Sequence, residues 1–501
     1  MANKEAQVIL RHLFIALAFA SVAALSGCPD EEITTTPGAF TVPDDYDFTS
    51  NFVDGESSVA YSGQTARQVL IADLNSRISG LTEAVDGPNW SLATAADVYS
   101  YLDYFVSFDS DSNGADAIAL STTPAVATEH QSYASISSGK DLVGKLAGND
   151  DKTDHKDWDG GGFAGWSDAT IATNGGSITS PQGLLEAFLH TLASRAVARA
   201  DGTLDTSPDG ATLPVHVTPE GLDLKQLTQK FLLMAVNYSQ ACDDYMDSDV
   251  DGKGLLASNE QVEGKPYSAL EHQWDEGFGY FGAARNYGDY SDAEIAGSGG
   301  REDWWGYNDS DGDGAISLTS EFNFGASTNA AKRDLGAADS SAPTDFTKDA
   351  WDGFRQGRAI IAAAKGQPLT ADQMVQLEAA RDKALDAYEG AIAATALHYI
   401  NDTLADIASI GGGFDFLDYA KHWSELKGFS IGLQFNPRSK LTDAQFSEFH
   451  QLIGDRPVDP TADAADIEAY VADLVAARDI LMTAYAFPAD LKGDDAGAGG
   501  W

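Results

Sequence analysis

The stretch "SPQGLLEAFLHTLASRAVARA", residues 180–200, announces a helix in its first two positions. The Ser180 hydroxyl can accept one of the N–H groups that a first turn leaves free. Pro181 suits the first helical position, where its missing N–H costs nothing and its fixed φ is already helical. The stretch "TPEGLDLKQLTQKFLLMAVNYSQA" (218–241) repeats that opening with Thr218 and Pro219. Outward from these two, Leu70, Leu74, Ile78 and Leu81 mark one apolar face. Further helices are expected over about 347–364, 371–408, 416–427, 443–453 and 464–485. The fourth of these opens with Thr442 and Gln445 at the spacing of a capping box. Strand-like alternation is rare, and "SIGLQFNP" (430–437) is its best short candidate. The fold class is all-α: a multi-helix bundle with long loops rich in Asp and Gly.

The bulk composition agrees. Of 501 residues 43% are hydrophobic and 10% aromatic, enough to bury a real core. Lys and Arg number 31 against 77 Asp and Glu, a formal net charge of −46. Such a surface repels nucleic acid, which is excluded as a partner, and draws cations; a high-salt habitat produces the same composition. The start of the chain is a targeting segment. Lys4 and Arg11 precede the short apolar run "LFIALAFASVAAL" (13–25), which is too short for a comfortable membrane span. It ends in "LSGC" (25–28), which resembles the lipobox of bacterial lipoproteins. That resemblance implies diacylation of Cys28 and a membrane held through this residue. Pro29 in place of an aspartate points to the outer membrane, on its periplasmic or surface side. Residues 29–50 read as a tether, 51–490 as the helical domain or two packed bundles, and 491–501 as a disordered tail. Cys242 is then the one thiol left, so no intrachain disulfide is expected, and it reads as a small buried apolar residue.

Three loops carry the front half of a calcium-binding pattern, carboxylates at alternate positions followed by a glycine that permits the bend. They are "DSDSNG" (109–114), "DSDVDG" (247–252) and "DSDGDG" (309–314). In the last, Asp309, Asp311 and Asp313 are followed by Ser320 at the twelfth place and Glu321 one later. Asp247, Asp249 and Asp251 are followed by Ser258 at the twelfth place and Glu260 two later. Calcium is expected first in the 309–321 loop, next in the 247 loop and last in the 109 loop. Solvated Asp/Ser/Gly turns give the same pattern.

A second set of candidates centres on histidine. In "ALEHQWDEGFGYFGA" (269–283), Trp274, Phe278 and Phe281 form one helical stripe, and His272 and Glu276 lie on the opposite side one turn apart. In "DFLDYAKHWSELKGF" (415–429), His422 shares a face with Tyr419, Leu426 and Phe429, and Glu425 follows one turn on. His398 sits beside the small Ala387, Ala391 and Ala394. His272, Glu276, His422 and Glu425, with His398 as a further member, are expected to converge on a transition metal, iron or zinc, in a bundle interior. A histidine on an apolar stripe is also, more simply, a hydrogen-bonded core residue.

The segments "GLDLKQL" (221–227), "YSALEHQWDEGFGYFG" (267–282), "AIAATALHYIND" (391–402) and "HWSELKGFSIGLQFNP" (422–437) resemble lipoproteins of domain of unknown function 4856, read as imelysin-like. The resemblance spans about residues 45–490. It implies an all-α bundle exported to the periplasm or cell surface, and a role in metal uptake, iron or haem, beside an outer-membrane receptor or another imelysin-like protein. Of the imelysin "GxHxxE" motif only His422-x-x-Glu425 is kept, with Lys421 before the histidine. The expected function is that of a metal-binding lipoprotein without catalysis. Two alternatives stand beside it, a zinc metallopeptidase and a structural lipoprotein with no metal. The peptidase lacks an H-E-x-x-H helix to present two histidines and a base together.

Overall fold

The helix expected from Ser180 forms as read: the Ser180 hydroxyl accepts the Gly183 N–H at 3.1 Å, and Pro181 is the first helical residue. The structure is a computed structural model that describes residues 40–501 except 121, 123, 151, 168–170 and 172–177. Its helices of nine residues or more, among the described residues, run in chain order as follows: α1 (Ser62–Ser79), α2 (Ala95–Asp103), α3 (Pro181–Ala200), α4 (Leu224–Leu232), α5 (Ala269–Phe281), α6 (Gly325–Ala337), α7 (Phe346–Ala363), α8 (Ala371–Ala408), α9 (Phe416–Ile431), α10 (Asp443–Ile453) and α11 (Ala464–Ala484). Extended pairing among the described residues is confined to isolated bridges, so the fold is all-α.

Local chemistry explains most of the boundaries. Thr370 and Gln373, and Thr442 and Gln445, close the reciprocal hydrogen bonds of capping boxes at the starts of α8 and α10. The Thr218 start is a correction. The Thr218 hydroxyl instead holds a turn by accepting from Leu222 N, Gly221 takes a left-handed φ of 83°, and Asp223 caps α4. Beyond Leu232 the chain keeps winding in wider π turns to Tyr245. The proposed strand 430–437 is also corrected: it forms the end of α9 and a 3-10 turn, Gly432–Gln434.

Helix α8 is the axis of the bundle, packed on α6, α7, α9 and α11. Its alanine face permits close approach. A Cβ added at Gly353 of α7 would stand 2.7 Å from the backbone N of Ala384. Leu70, Leu74 and Ile78 are buried on the apolar face of α1, and Leu81 is buried in the short helix that follows Gly80. Each such side chain contributes about 1.5–3 kcal/mol.

Both ends of the domain differ from expectation. Residues 40–50 are no tether: Tyr46 is fully buried and stacks on Phe278 with ring centres 3.8 Å apart. Residues 491–501 are no disordered tail. Trp501 is buried, its indole N–H donates to the Arg333 carbonyl at 2.8 Å, and its ring meets Phe487 edge-on. A large aromatic at each end pulls an otherwise polar segment onto the core. The expected signal segment 1–28 with Cys28, and the stretch 29–39, lie outside the described residues. No described helix is long and apolar enough to cross a membrane.

Candidate functional site

The segment between Tyr307 and Phe322 closes on itself. These two residues pair in an antiparallel bridge, and their rings stack 5.7 Å apart. Inside the loop, backbone N–H groups turn onto carboxylates. Gly312 and Asp313 donate to Asp309 Oδ1 at 2.7 and 3.1 Å, and Gly314 donates to Asp309 Oδ2 at 2.9 Å. Asp313 N also reaches Asp311 Oδ1 at 3.1 Å, and Ala315 N reaches Asp313 Oδ1 at 2.9 Å. Gly312 and Gly314 hold φ values of 77° and 92°, which a Cβ would strain.

The acid one place late is brought back by a single helical turn. Glu321 N donates to the Ser317 carbonyl and Ser317 N to Glu321 Oε2, both at 2.9 Å. Glu321 Oε1 then accepts from Ser310 N, Ser310 Oγ and Asp311 N at 2.7, 2.6 and 3.2 Å, and the residue is only 3% exposed. As a result, one oxygen from each of Asp309, Asp311 and Glu321 lies within 4.8 Å of the others. A second group joins Asp311 and Asp313 to Glu129, a residue that sequence spacing did not single out. Glu129 arrives because Thr128 pairs with Ile316 in a parallel bridge, with Glu129 N on the Ile316 carbonyl at 3.1 Å. An all-carboxylate set of this kind suits a hard divalent cation, calcium or magnesium, and not iron or zinc.

The other two loops do something else. Asp247, Asp249 and Asp251 form no close group of three among the described residues, although Asp247 and Asp249 touch. Asp247 is buried and accepts from Arg438 Nη1 and Ser248 N, while neighbouring Asp244 pairs with Lys253 at 3.1 Å and Lys145 at 3.4 Å. Cations of the chain itself neutralise Asp247 and Asp244, which favours the 247 loop less than the 309–321 loop as a cation site. Asp109 caps a single helical turn by accepting from Asp111 N at 3.0 Å.

The "EHQWDE" block of α5 is a structural keystone. Arg358 of α7 is fully buried; its Nη1 meets Glu271 Oε1 and its Nε meets Asp275 Oδ1, each at 2.8 Å. Tyr46 OH and Ala60 N complete Asp275 at 2.9 and 3.0 Å. Trp274 donates to the Phe354 carbonyl at 2.8 Å, and a Cβ at Gly357 would stand 1.9 Å from its ring. On the opposite side, His272 is half-exposed. Its Nδ1 bonds the Ala60 carbonyl at 2.9 Å, and its ring stacks on Tyr267. His272 Nε2 lies 3.8 Å from Glu276, whose Oε1 accepts from Gln64 at 2.9 Å.

Residues 185–295, which include this block, match the family model described as Domain of unknown function (DUF4856). This segment is similar to that family. No curated protein and no solved structure matches the chain. The DUF4856 match begins within α3, takes in α4 and α5, and stops short of the 309–321 loop.

His398, His422 and Glu425 lie beyond the DUF4856 match, and they do not join His272 and Glu276. Among the described residues, no group of three or more ligands contains any of these five. His422 Nδ1 bonds Asp406 at 2.8 Å and its Nε2 stands 3.9 Å from Asp402, while His398 Nε2 lies 3.2 Å from the same Asp402. Glu425 turns to Lys230 of α4 at 3.3 Å. The single four-ligand centre is therefore corrected: His422, Glu276 and Glu425 found partners on neighbouring helices, His398 one on its own helix and His272 one in the segment before α1. Burial works to lower the His422 pKa, but the hydrogen bond to Asp406 and the charges of Asp406 and Asp402 outweigh it and hold it above its ordinary value. His398 is pushed down to about 3 by burial and then by Arg333, so it is neutral at pH 7.

Proposed function

We propose that this DUF4856 protein is an exported, lipid-anchored helical lipoprotein that binds and does not catalyse, with calcium held by Asp309, Asp311, Asp313 and Glu321. The observation that carries the reading is Glu321. It is nearly buried and folded onto the front of a loop that already gathers aspartates, an arrangement that a divalent cation relieves. The "LSGC" sequence at Cys28 supports an outer-membrane anchor, and the net charge of −46 supports cation enrichment at the surface. The imelysin-like resemblance supports a partner in the outer membrane. The arrangement favours calcium over iron or haem acquisition through His272, Glu276, His422 and Glu425, because these residues pair with separate neighbours. Cys242 is buried and its thiol is pushed well up by burial, which disarms this residue as a nucleophile.

Isothermal titration of the full-length protein in mild detergent, after dialysis against EDTA, tests this. Calcium is expected to bind at one site, with magnesium weaker. Asp311→Asn with Asp313→Asn, and separately Glu321→Gln, should each weaken calcium by about 10-fold or more, about 1.4 kcal/mol. Calcium affinity unchanged in both variants refutes the proposal. So does a tighter one-to-one zinc site that His422→Ala removes.

A further inference from the structure

The calcium loop is also one wall of a cavity of about 340 Å³, within the range of small-ligand sites, about 300–1,000 Å³. The facing walls come from the segment 124–127 and from residues 302–308. Trp305 is 36% exposed and Val126 39%, and Trp305 is the only aromatic among the exposed large hydrophobic side chains of the described residues. Both line this cavity. The indole is fixed in place: its N–H donates to the Glu302 carbonyl at 2.6 Å, so what it offers a ligand is its face. Tyr307 ties the two walls by donating to the Pro124 carbonyl at 2.6 Å. The charged groups at the cavity are the carboxylates of Glu302, Asp303 and Asp309, which only accept hydrogen bonds. A ligand seated here lays an apolar face on an indole and donates hydrogen bonds from its edge.

We infer that this cavity binds a neutral saccharide in a calcium-dependent manner. The inference rests on the calcium reading of the 309–321 loop. Asp309 and Gly314–Ile316 belong to both loop and cavity, so an ion at Asp309, Asp311 and Glu321 orders the shared wall. That order passes to the opposite side through Ile316 N on the Ala127 carbonyl at 2.9 Å. Calcium also decides between the two ligand chemistries that an indole beside carboxylates accepts. An organic amine loses attraction when a divalent cation neutralises the loop, whereas a neutral saccharide keeps its hydroxyl contacts and gains the ordered wall.

The test titrates four neutral hexasaccharides, β-1,4-glucan, β-1,3-glucan, α-1,4-glucan and β-1,4-mannan, into the full-length protein in mild detergent, once in calcium and once in EDTA. At least one is expected to bind in calcium and to weaken by about 10-fold or more in EDTA. Trp305→Ala should abolish that binding while leaving the calcium titration unchanged. Should Trp305→Ala lower the melting temperature, Val126→Asp, at an exposed position, serves the same purpose. Binding by none of the four in calcium overturns the inference, as does equal binding in EDTA or binding that survives these substitutions. Calcium uptake without saccharide binding sinks this inference alone. Failure of calcium itself to bind sinks the underlying reading with it.

Discussion

Arg358→Met asks what the "EHQWDE" block is for. The guanidinium has no exposed surface and meets Glu271 and Asp275 at 2.8 Å each and Ser58 Oγ at 2.7 Å. Both acids are buried as well. Methionine keeps an unbranched apolar stem but removes the charge and its donors. Asp275 then retains only Tyr46 OH and Ala60 N, and the Glu271 carboxylate only the Ser268 N–H of its capping box. Breaking a buried ion network from one side costs about 3–5 kcal/mol, a large part of the roughly 5–15 kcal/mol that holds a domain together. The pH dependence has a definite sign. Burial already raises the Asp275 pKa and Arg358 opposes it, so losing Arg358 lifts it further. A carboxyl with a raised folded pKa favours the fold when protonated, so the variant recovers as pH falls. Urea denaturation is expected to show a deficit of about 3–5 kcal/mol at pH 7.5 that narrows at pH 5. A deficit under about 1 kcal/mol at pH 7.5, or one that widens in acid, refutes the reasoning.

Two further outcomes are expected. Because the His422 pKa is raised, its pairing with Asp406 stabilises the fold fully below the unfolded histidine value and fades as pH rises through the folded one. Asp406→Asn should therefore cost about 1–3 kcal/mol at pH 6 and less at pH 8 in denaturant titrations; an equal cost at both would remove the charged pair from the account. Cys28→Ser should move the protein from the membrane fraction to the soluble periplasmic fraction, since a lipid on Cys28 is the one proposed anchor. Persistence with membranes after fractionation would refute the lipobox reading.

Where local chemistry dominates, the chain was legible. The bounds of α8 and α10 coincide with the expected 371–408 and 443–453, because threonine caps and apolar periodicity act within a few residues of one another. The 309–321 loop was legible for the same reason: aspartates at alternate places and glycines at left-handed positions belong to one short segment. Its near neighbour in pattern, 247–252, differs because Arg438, 191 residues away, claims Asp247. Spacing cannot reveal a partner supplied by a distant turn. Glu129 escaped notice in the same way, since only the bridge between Thr128 and Ile316 brings it to Asp311.

The sequence by itself determined the helical class, most helix ends and the acid-rich turn, all of which arise from hydrogen bonds and periodicity along one stretch of chain. Tertiary structure alone decided which charges are paired across the core and which gather in one loop. A carboxylate drawn into the interior must be matched by whatever cation packing delivers, because desolvation penalises it otherwise. Arg358 reached Glu271 and Asp275 across more than 80 residues, and Lys230 reached Glu425 across the α4–α9 contact. Glu321 instead gathers with Asp309 and Asp311 of its own loop.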